Sequence, residues 1–234
     1  MGENLTDNKN IIAIDGPSGV GKGTLAAQIG DYYGFAVLDT GALYRAVTLH
    51  LMRSGIDMAA LDEKTAAREA RKISLDHSIL RYAKDPEIRG PVISKLTSEI
   101  APLQKMRAEL RKYQRDFGLR PPALPDGSPA LGAVIEGRDI TTVIFPDAPV
   151  RIFLTASANV KAARRYKQYV ESGIPADYKQ ILAEQIKRDE RDATRDAGRL
   201  QIAKGVIVID NSKIGKEECF HIVRGIIKEK LGLV

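Results

Sequence analysis

Seven residues near the start of the chain, Gly16-Pro17-Ser18-Gly19-Val20-Gly21-Lys22, leave little freedom in what can surround them. They match the pattern G-x-x-x-x-G-K. Before them stands Ile11-Ile12-Ala13-Ile14, an apolar run suited to a buried parallel strand, and after them a helical pattern runs from Lys22 to Tyr33. On that helix Leu25, Ile29 and Tyr32 share a face, and Gly34 stands where a helix stops. Strand, glycine loop and helix in this order make a phosphate cradle. The glycines let backbone N–H groups turn inward, the helix aims its positive end at the same point, and Lys22 reaches the outer phosphates. The general pattern has Ser or Thr after the lysine, but here Gly23 follows and the hydroxyl comes at Thr24, so the loop ends G-K-G-T.

The rest of the chain continues the alternation. Phe35-Ala36-Val37-Leu38, Ala133-Val134-Ile135, Val150-Arg151-Ile152-Phe153-Leu154 and Val206-Ile207-Val208-Ile209 read as further strands separated by helical stretches. That pattern implies an α/β fold, a parallel sheet flanked by helices on both faces. Between Leu103 and Phe117 the apolar residues Leu103, Met106, Leu110, Tyr113 and Phe117 recur at helical spacing, giving one helix with one buried stripe. Arg107 lies at the edge of that stripe and reaches inward, where Lys105 and Arg115 do not. Residues 119–132 contain four prolines and read as an irregular surface loop.

At 234 residues, 44% hydrophobic and 28% charged, the composition suits a globular core and excludes fibrous and disordered classes. No apolar run approaches the ~20 residues needed to cross a bilayer, and residues 1–9 are polar, expected to fray, and without a leader pattern. A soluble, cytoplasmic protein is expected. One cysteine, Cys219, and three scattered histidines, His50, His77 and His221, exclude a disulfide framework and a zinc site, so no protein metal ligand is expected.

Net charge is +6, and the surplus sits in two segments: 103–120 with 6 basic against 2 acidic residues, and 161–204 with 11 against 7. In the second, Arg188, Arg191, Asp192, Arg195 and Arg199 fall at i, i+3, i+4, i+7 and i+11, on one helix face. Such a face welcomes anions. The bland alternative is a solvated salt-bridge ladder. A nucleic-acid-binding protein is an alternative of another class, disfavoured by the interleaved carboxylates and the lack of accompanying stacking aromatics.

Two further arginines follow strands. Asp39-Thr40-Gly41-Ala42-Leu43-Tyr44-Arg45 comes after the second strand and Glu136-Gly137-Arg138-Asp139 after the third, which places Arg45 and Arg138 at the carboxyl ends of strands, where open α/β folds bind ligands. Together, I-D-G-P-S-G-V-G-K-G-T, L-D-T-G-A-L-Y-R, E-G-R-D-I-T-T-V-I-F-P-D-A-P-V-R-I-F-L-T-A-S and R-D-E-R-D-A-T-R closely resemble the bacterial cytidylate kinases, a branch of the P-loop nucleoside monophosphate kinases. The resemblance runs from residue 11 to about 212.

It implies a P-loop core over 10–40, 103–157 and 197–234, a CMP-binding subdomain over 41–102 and a helical lid over 158–196. It also implies transfer of the γ-phosphoryl group of ATP to CMP or dCMP, with Mg2+ bound to the nucleotide, in a monomer without nucleic-acid or membrane partners. By motif, Gly16 through Thr24 would hold ATP, and Lys22, Arg188 and Arg195 would be catalytic. Thr40 and Tyr44 would join the CMP site, where Arg45 and Arg138 clamp the phosphate, Ser98, Arg107 and Asp139 read the cytosine, and Arg188 and Asp192 meet the pentose. Cytosine offers an N4 donor with O2 and N3 acceptors, so a carboxylate or hydroxyl beside a guanidinium complements its edge. Either Arg164 or Arg165 would contact ATP.

Some features depart from the family. Thr40 stands where Ser is usual, Thr141 replaces a glycine after R-D-I, and the proline-rich loop is longer. The stretch 73–97, where relatives often carry a small antiparallel sheet, offers few strand residues, so a reduced subdomain is expected. A kinase of another small acceptor, such as shikimate or gluconate, would share the phosphate loop without needing E-G-R-D and R-D-E-R-D-A-T-R.

Overall fold

Alternation of side chains along β1 (Ile11–Asp15) organises the molecule: Ile11 and Ala13 project to one face of a sheet, Ile12 and Ile14 to the other, and all are buried. The structure, a computed structural model, describes residues 10–194 and 196–233. The sheet has five parallel strands in the order β2 (Phe35–Asp39), β3 (Gly132–Gly137), β1, β4 (Val150–Thr155) and β5 (Ile207–Asp210). Register pairs Asp15 with Gly137 and Asp39 with Glu136. The chain therefore leaves β1, β2 and β3 at one level, and the loops that follow meet there.

Helices bury both faces, as a parallel sheet requires. On one side α1 (Lys22–Tyr33) and α9 (Lys216–Leu231) set Leu25, Ile29, Val223 and Ile227 against Ile12, Ile14 and Ile152. On the other, α2 (Thr40–Arg53), α3 (Glu63–Leu75) and α6 (Gln104–Leu119) pack Leu43, Leu51, Ile73, Met106 and Leu110 against Ala13 and Ile135. Fully burying one such aliphatic side chain stabilises the fold by roughly 1.5–3 kcal/mol. Gly34 closes α1 at φ 66, the left-handed conformation a glycine adopts without strain.

Several expectations need correction. Tyr32 does not share the buried face of α1; it is 47% exposed, and Tyr33 is buried in its place. Tyr32 instead lies under the guanidinium of Arg224 on α9, 4.2 Å from the ring centre. Arg115 does reach inward: its Nη1 donates to the carbonyl of Ile144 at 2.5 Å, and its guanidinium covers Phe145. Its long stem carries the charge from an exposed position back over the core.

Between α3 and α6 the chain forms α4 (Ser78–Lys84), a 3-10 turn at Pro86–Arg89 and α5 (Pro91–Ile100), with no strand among the described residues of 41–102. Residues 120–131 form the expected loop. Helices α7 (Ala158–Glu171) and α8 (Tyr178–Thr194) pack on each other, and α7 reaches the phosphate loop at the carboxyl end of the strands. Helix α8 ends at Thr194, so Arg199 is not part of its face and donates to the Ala193 carbonyl at 2.6 Å. No helix among the described residues is long and apolar enough to cross a membrane.

Candidate active site

The loop after β1 adopts the strained form its glycines allow. Gly16 has φ 153, and a Cβ there would overlap the carbonyl oxygen of Leu154 on β4. Val20 faces the core, while its carbonyl accepts from Asn211 Nδ2 at 2.7 Å and from Arg164 Nη1 at 3.2 Å. Arg164 thus braces the loop from behind. Lys22 is buried; its Nζ donates to the Pro17 carbonyl at 3.1 Å and lies 3.5 Å from Glu136 Oε2. Burial pushes the Lys22 ammonium down to about 8, reinforced by Arg138 and opposed by Glu136. Burial likewise pushes the Glu136 carboxyl up, against the pull of Lys22.

Beside the loop opens a cavity of about 570 Å³. Ser18, Gly19, Gly21, Lys22, Gly23 and Thr24 form its floor, whereas Gly16, Pro17 and Val20 support that floor from outside the lining. One wall comes from α2 and α5, through Thr40, Tyr44, Arg45 and Ser98. Thr40 Oγ1 donates to the Glu136 carbonyl at 2.8 Å and so ties the start of α2 to β3, while Ser98 Oγ donates to Ser94. Arg107 does reach inward from α6. Its Nη1 donates to the Ala101 carbonyl at 3.0 Å, its Nη2 to Asp139 Oδ2 at 2.5 Å, and it lies 5.3 Å over the ring of Tyr44. Burial would lower its pKa, but Tyr44 and Asp139 outweigh that and hold it raised.

The opposite wall comes from α7 and α8. Arg165 and Gln168 of α7 line the cavity, which separates the roles of two adjacent arginines: Arg165 faces the ligand space and Arg164 the back of the loop. From α8, Asp192 accepts from Arg138 Nε at 2.9 Å, and Arg188 faces the cavity with its Nε buried and without a partner among the described residues. Burial pushes the Arg188 guanidinium down to about 10, helped by Arg138, and it stays protonated at neutral pH. Arg191 is exposed and outside the lining, so among the described residues of the expected one-faced ladder only Arg188 and Asp192 line the cavity. Arg195 lies outside the described residues.

The structure adds residues that the sequence reading passed over. Asp15, fully buried at the end of β1, accepts from the backbone N–H of Ile140 at 2.9 Å and of Thr141 at 2.7 Å, and from Thr141 Oγ1 at 2.6 Å. Burial pushes its carboxyl up, and those hydrogen bonds work in the opposite direction. Asp15 thus pins the turn that carries Arg138 and Asp139 to the strand that carries the phosphate loop. Asp39 caps α2 by accepting from Ala42, and with Glu136 it lines the cavity. An acid ending an apolar strand was the available signal in all three cases. Among the described residues, seven cationic side chains and four carboxylates face the cavity, an excess of positive charge suited to two phosphorylated ligands.

A family model for cytidylate kinase matches residues 12–229 of this chain. The chain belongs to the cytidylate kinase family. Cytidylate kinases of Rhodopseudomonas palustris and Cupriavidus necator are 42% and 43% identical to it, over 88% and 87% of this chain and 90% and 88% of theirs. That of Paramagnetospirillum magneticum is 40% identical over 94% of this chain and 98% of its own. An uncharacterized protein from Eubacterium ventriosum, known from a crystal structure, shares the fold at a TM-score of 0.52 and 16% identity, covering 94% of this chain and 99% of that one.

Proposed function

We infer that the chain transfers the γ-phosphoryl group of ATP to CMP, giving ADP and CDP. The observation that carries this is the joining, in one cavity, of a phosphate loop to the buried Arg107–Asp139 pair, whose charges match the edge of cytosine. The attacking atom is a phosphate oxygen of the acceptor, already anionic at neutral pH, so no general base is needed. Catalysis then rests on position and charge.

Each group has a task in that scheme. Backbone N–H groups of residues 18–24 and the start of α1 hold the donor phosphates, and Lys22 exchanges Glu136 for the outer phosphate oxygens. Arg45 and Arg138 hold the acceptor phosphate, with Arg138 giving up Asp192 to do so. Arg188, which lines the cavity with a buried Nε that has no acceptor among the described residues, stabilises the charge spread over the moving phosphoryl group, as Arg195 is proposed to do. Ser98, Arg107 and Asp139 read the base, Tyr44 supports Arg107, and Asp192 meets the pentose. The base and phosphate contacts do not involve the 2′ position, which supports dCMP as a second acceptor.

Among the described residues no cluster of three His, Cys, Asp or Glu side chains forms a metal cage. Thr24, Asp39 and Glu136 instead line the cavity beside Lys22, oxygen donors that suit a magnesium ion arriving on nucleotide phosphates. Bound there, Mg2+ would neutralise phosphate charge.

A coupled assay with ATP and CMP, dCMP, UMP, AMP or shikimate tests the assignment. CMP and dCMP should be phosphorylated, with AMP and shikimate inactive; a preferred acceptor other than a cytidylate overturns it.

A further inference from the structure

Of the cations that face the cavity, three are matched by a carboxylate: Lys22 by Glu136 at 3.5 Å, Arg107 by Asp139 at 2.5 Å and Arg138 by Asp192 at 2.9 Å. Arg45 and Arg188 already have places in the scheme above, and Arg165 is the lining member of the arginine pair expected to contact ATP. Arg89 has none. It ends the 3-10 turn Pro86–Arg89, is exposed, lines the cavity, and has no carboxylate within 4.0 Å among the described residues.

That isolation is not for want of nearby acids. Asp85 and Glu87 stand in the same turn, yet both are taken by Arg53 of α2, at 2.8 and 2.6 Å. Asp85 also accepts from the backbone N–H of Glu87 at 2.9 Å, which fixes it away from Arg89. The turn itself is anchored by Ile88, 3% exposed, which clusters with Leu49 and Ile93. Leu49 lies four residues after Arg45 on α2, so the turn that ends in Arg89 is seated on the helix that presents Arg45. Thr97 and Ser98 of α5, the helix that follows this turn, line the same cavity.

We propose that Arg89 is a further substrate-binding residue, which engages the phosphate of the nucleoside monophosphate acceptor together with Arg45. A cytosine edge carries no net charge and is matched by the buried Arg107–Asp139 pair. A solvent-facing guanidinium without a counter-ion is matched by a phosphate dianion. The proposal rests on the acceptor assignment above, and its test separates the two.

Arg89→Met and Arg89→Lys are compared with the unaltered protein by titration with CMP, by inhibition with cytidine against CMP, and by steady-state kinetics in ATP. Arg89→Met should weaken CMP about 5- to 50-fold, the size of one lost charge-assisted hydrogen bond at a partly hydrated site. Cytidine inhibition and the KM for ATP should stay within about twofold, and Arg89→Lys should recover part of the CMP affinity, with a residual deficit from the lost planar fork. CMP affinity unchanged in Arg89→Met overturns the proposal, as does an equal loss for cytidine, which would show that the residue acts on the base or on the fold. Failure of the unaltered protein to bind CMP overturns the acceptor assignment itself and this proposal with it.

Discussion

Replacing Asp139 by alanine removes the carboxylate that Arg107 holds at 2.5 Å, and both residues are only 7% exposed. Breaking a buried ion pair by deleting one partner ordinarily costs ~3–5 kcal/mol, because the remaining charge stays buried. Here Arg107 keeps its bond to the Ala101 carbonyl at 3.0 Å and its place over Tyr44, and the adjoining cavity lets water reach the guanidinium. The expected cost is therefore about 2–3 kcal/mol. For a chain of this size, that lowers the melting temperature by about 4–12 °C. The effect on the acceptor is separate. Losing a charged acceptor for the cytosine amino group removes about 1.5–3 kcal/mol of binding, a roughly 10- to 150-fold rise in the KM for CMP. Kinetics with CMP varied at saturating ATP, and the reverse, should show that rise with the KM for ATP within about twofold. Asp139→Asn, which keeps one acceptor oxygen, should fall between. A lower melting temperature with an unchanged KM for CMP would refute base reading by Asp139, and a rise confined to ATP would assign it to the other substrate.

Three further outcomes are expected. Lys22 titrates near 8 in the folded chain against 10.5 unfolded, so between those values the unfolded state binds more protons and stability rises with pH. Melting of the unaltered protein should therefore gain on Lys22→Met as pH rises from 8 toward 10, and parallel curves would contradict the buried, depressed ammonium. Thr141→Val removes the hydroxyl that donates to Asp15 at 2.6 Å but leaves that carboxylate two backbone donors, so a loss of about 1–2 kcal/mol in a denaturant titration is expected, with Thr141→Ser restoring most of it. Arg188→Lys keeps the charge but removes the Nε donor; turnover should fall about 10- to 100-fold with little change in melting temperature, and unchanged turnover would remove Arg188 from the mechanism.

The phosphate loop, the five strands and the inward reach of Arg107 were all legible in the linear chain, because each depends on short-range causes. Glycines at fixed spacing permit the loop, apolar runs specify buried strands, and a recurrence of 3 and 4 residues specifies a helix face. The family, too, was legible, since its motifs are contiguous stretches. The absence of a strand from 73–97 followed from its few strand residues. Less was legible where two adjacent residues compete for one surface, as Tyr32 and Tyr33 do: the choice depended on where α9 packs.

Which side chains pair was decided by tertiary structure alone. Arg107 meets Asp139 across 32 residues, Arg138 meets Asp192 across 54, and Thr141 meets Asp15 across 126. Those meetings follow from the strand order β2-β3-β1-β4-β5, which sets the end of β3 beside the end of β1 and brings α8 over both. No local pattern encodes that order, because crossovers between parallel strands are fixed by how helices cover the whole sheet. Arg164 and Arg165 show the same limit at the smallest scale. Adjacent on one helix, they point about 100° apart, and only the seating of α7 against the phosphate loop makes one a brace behind it and the other a wall of the cavity.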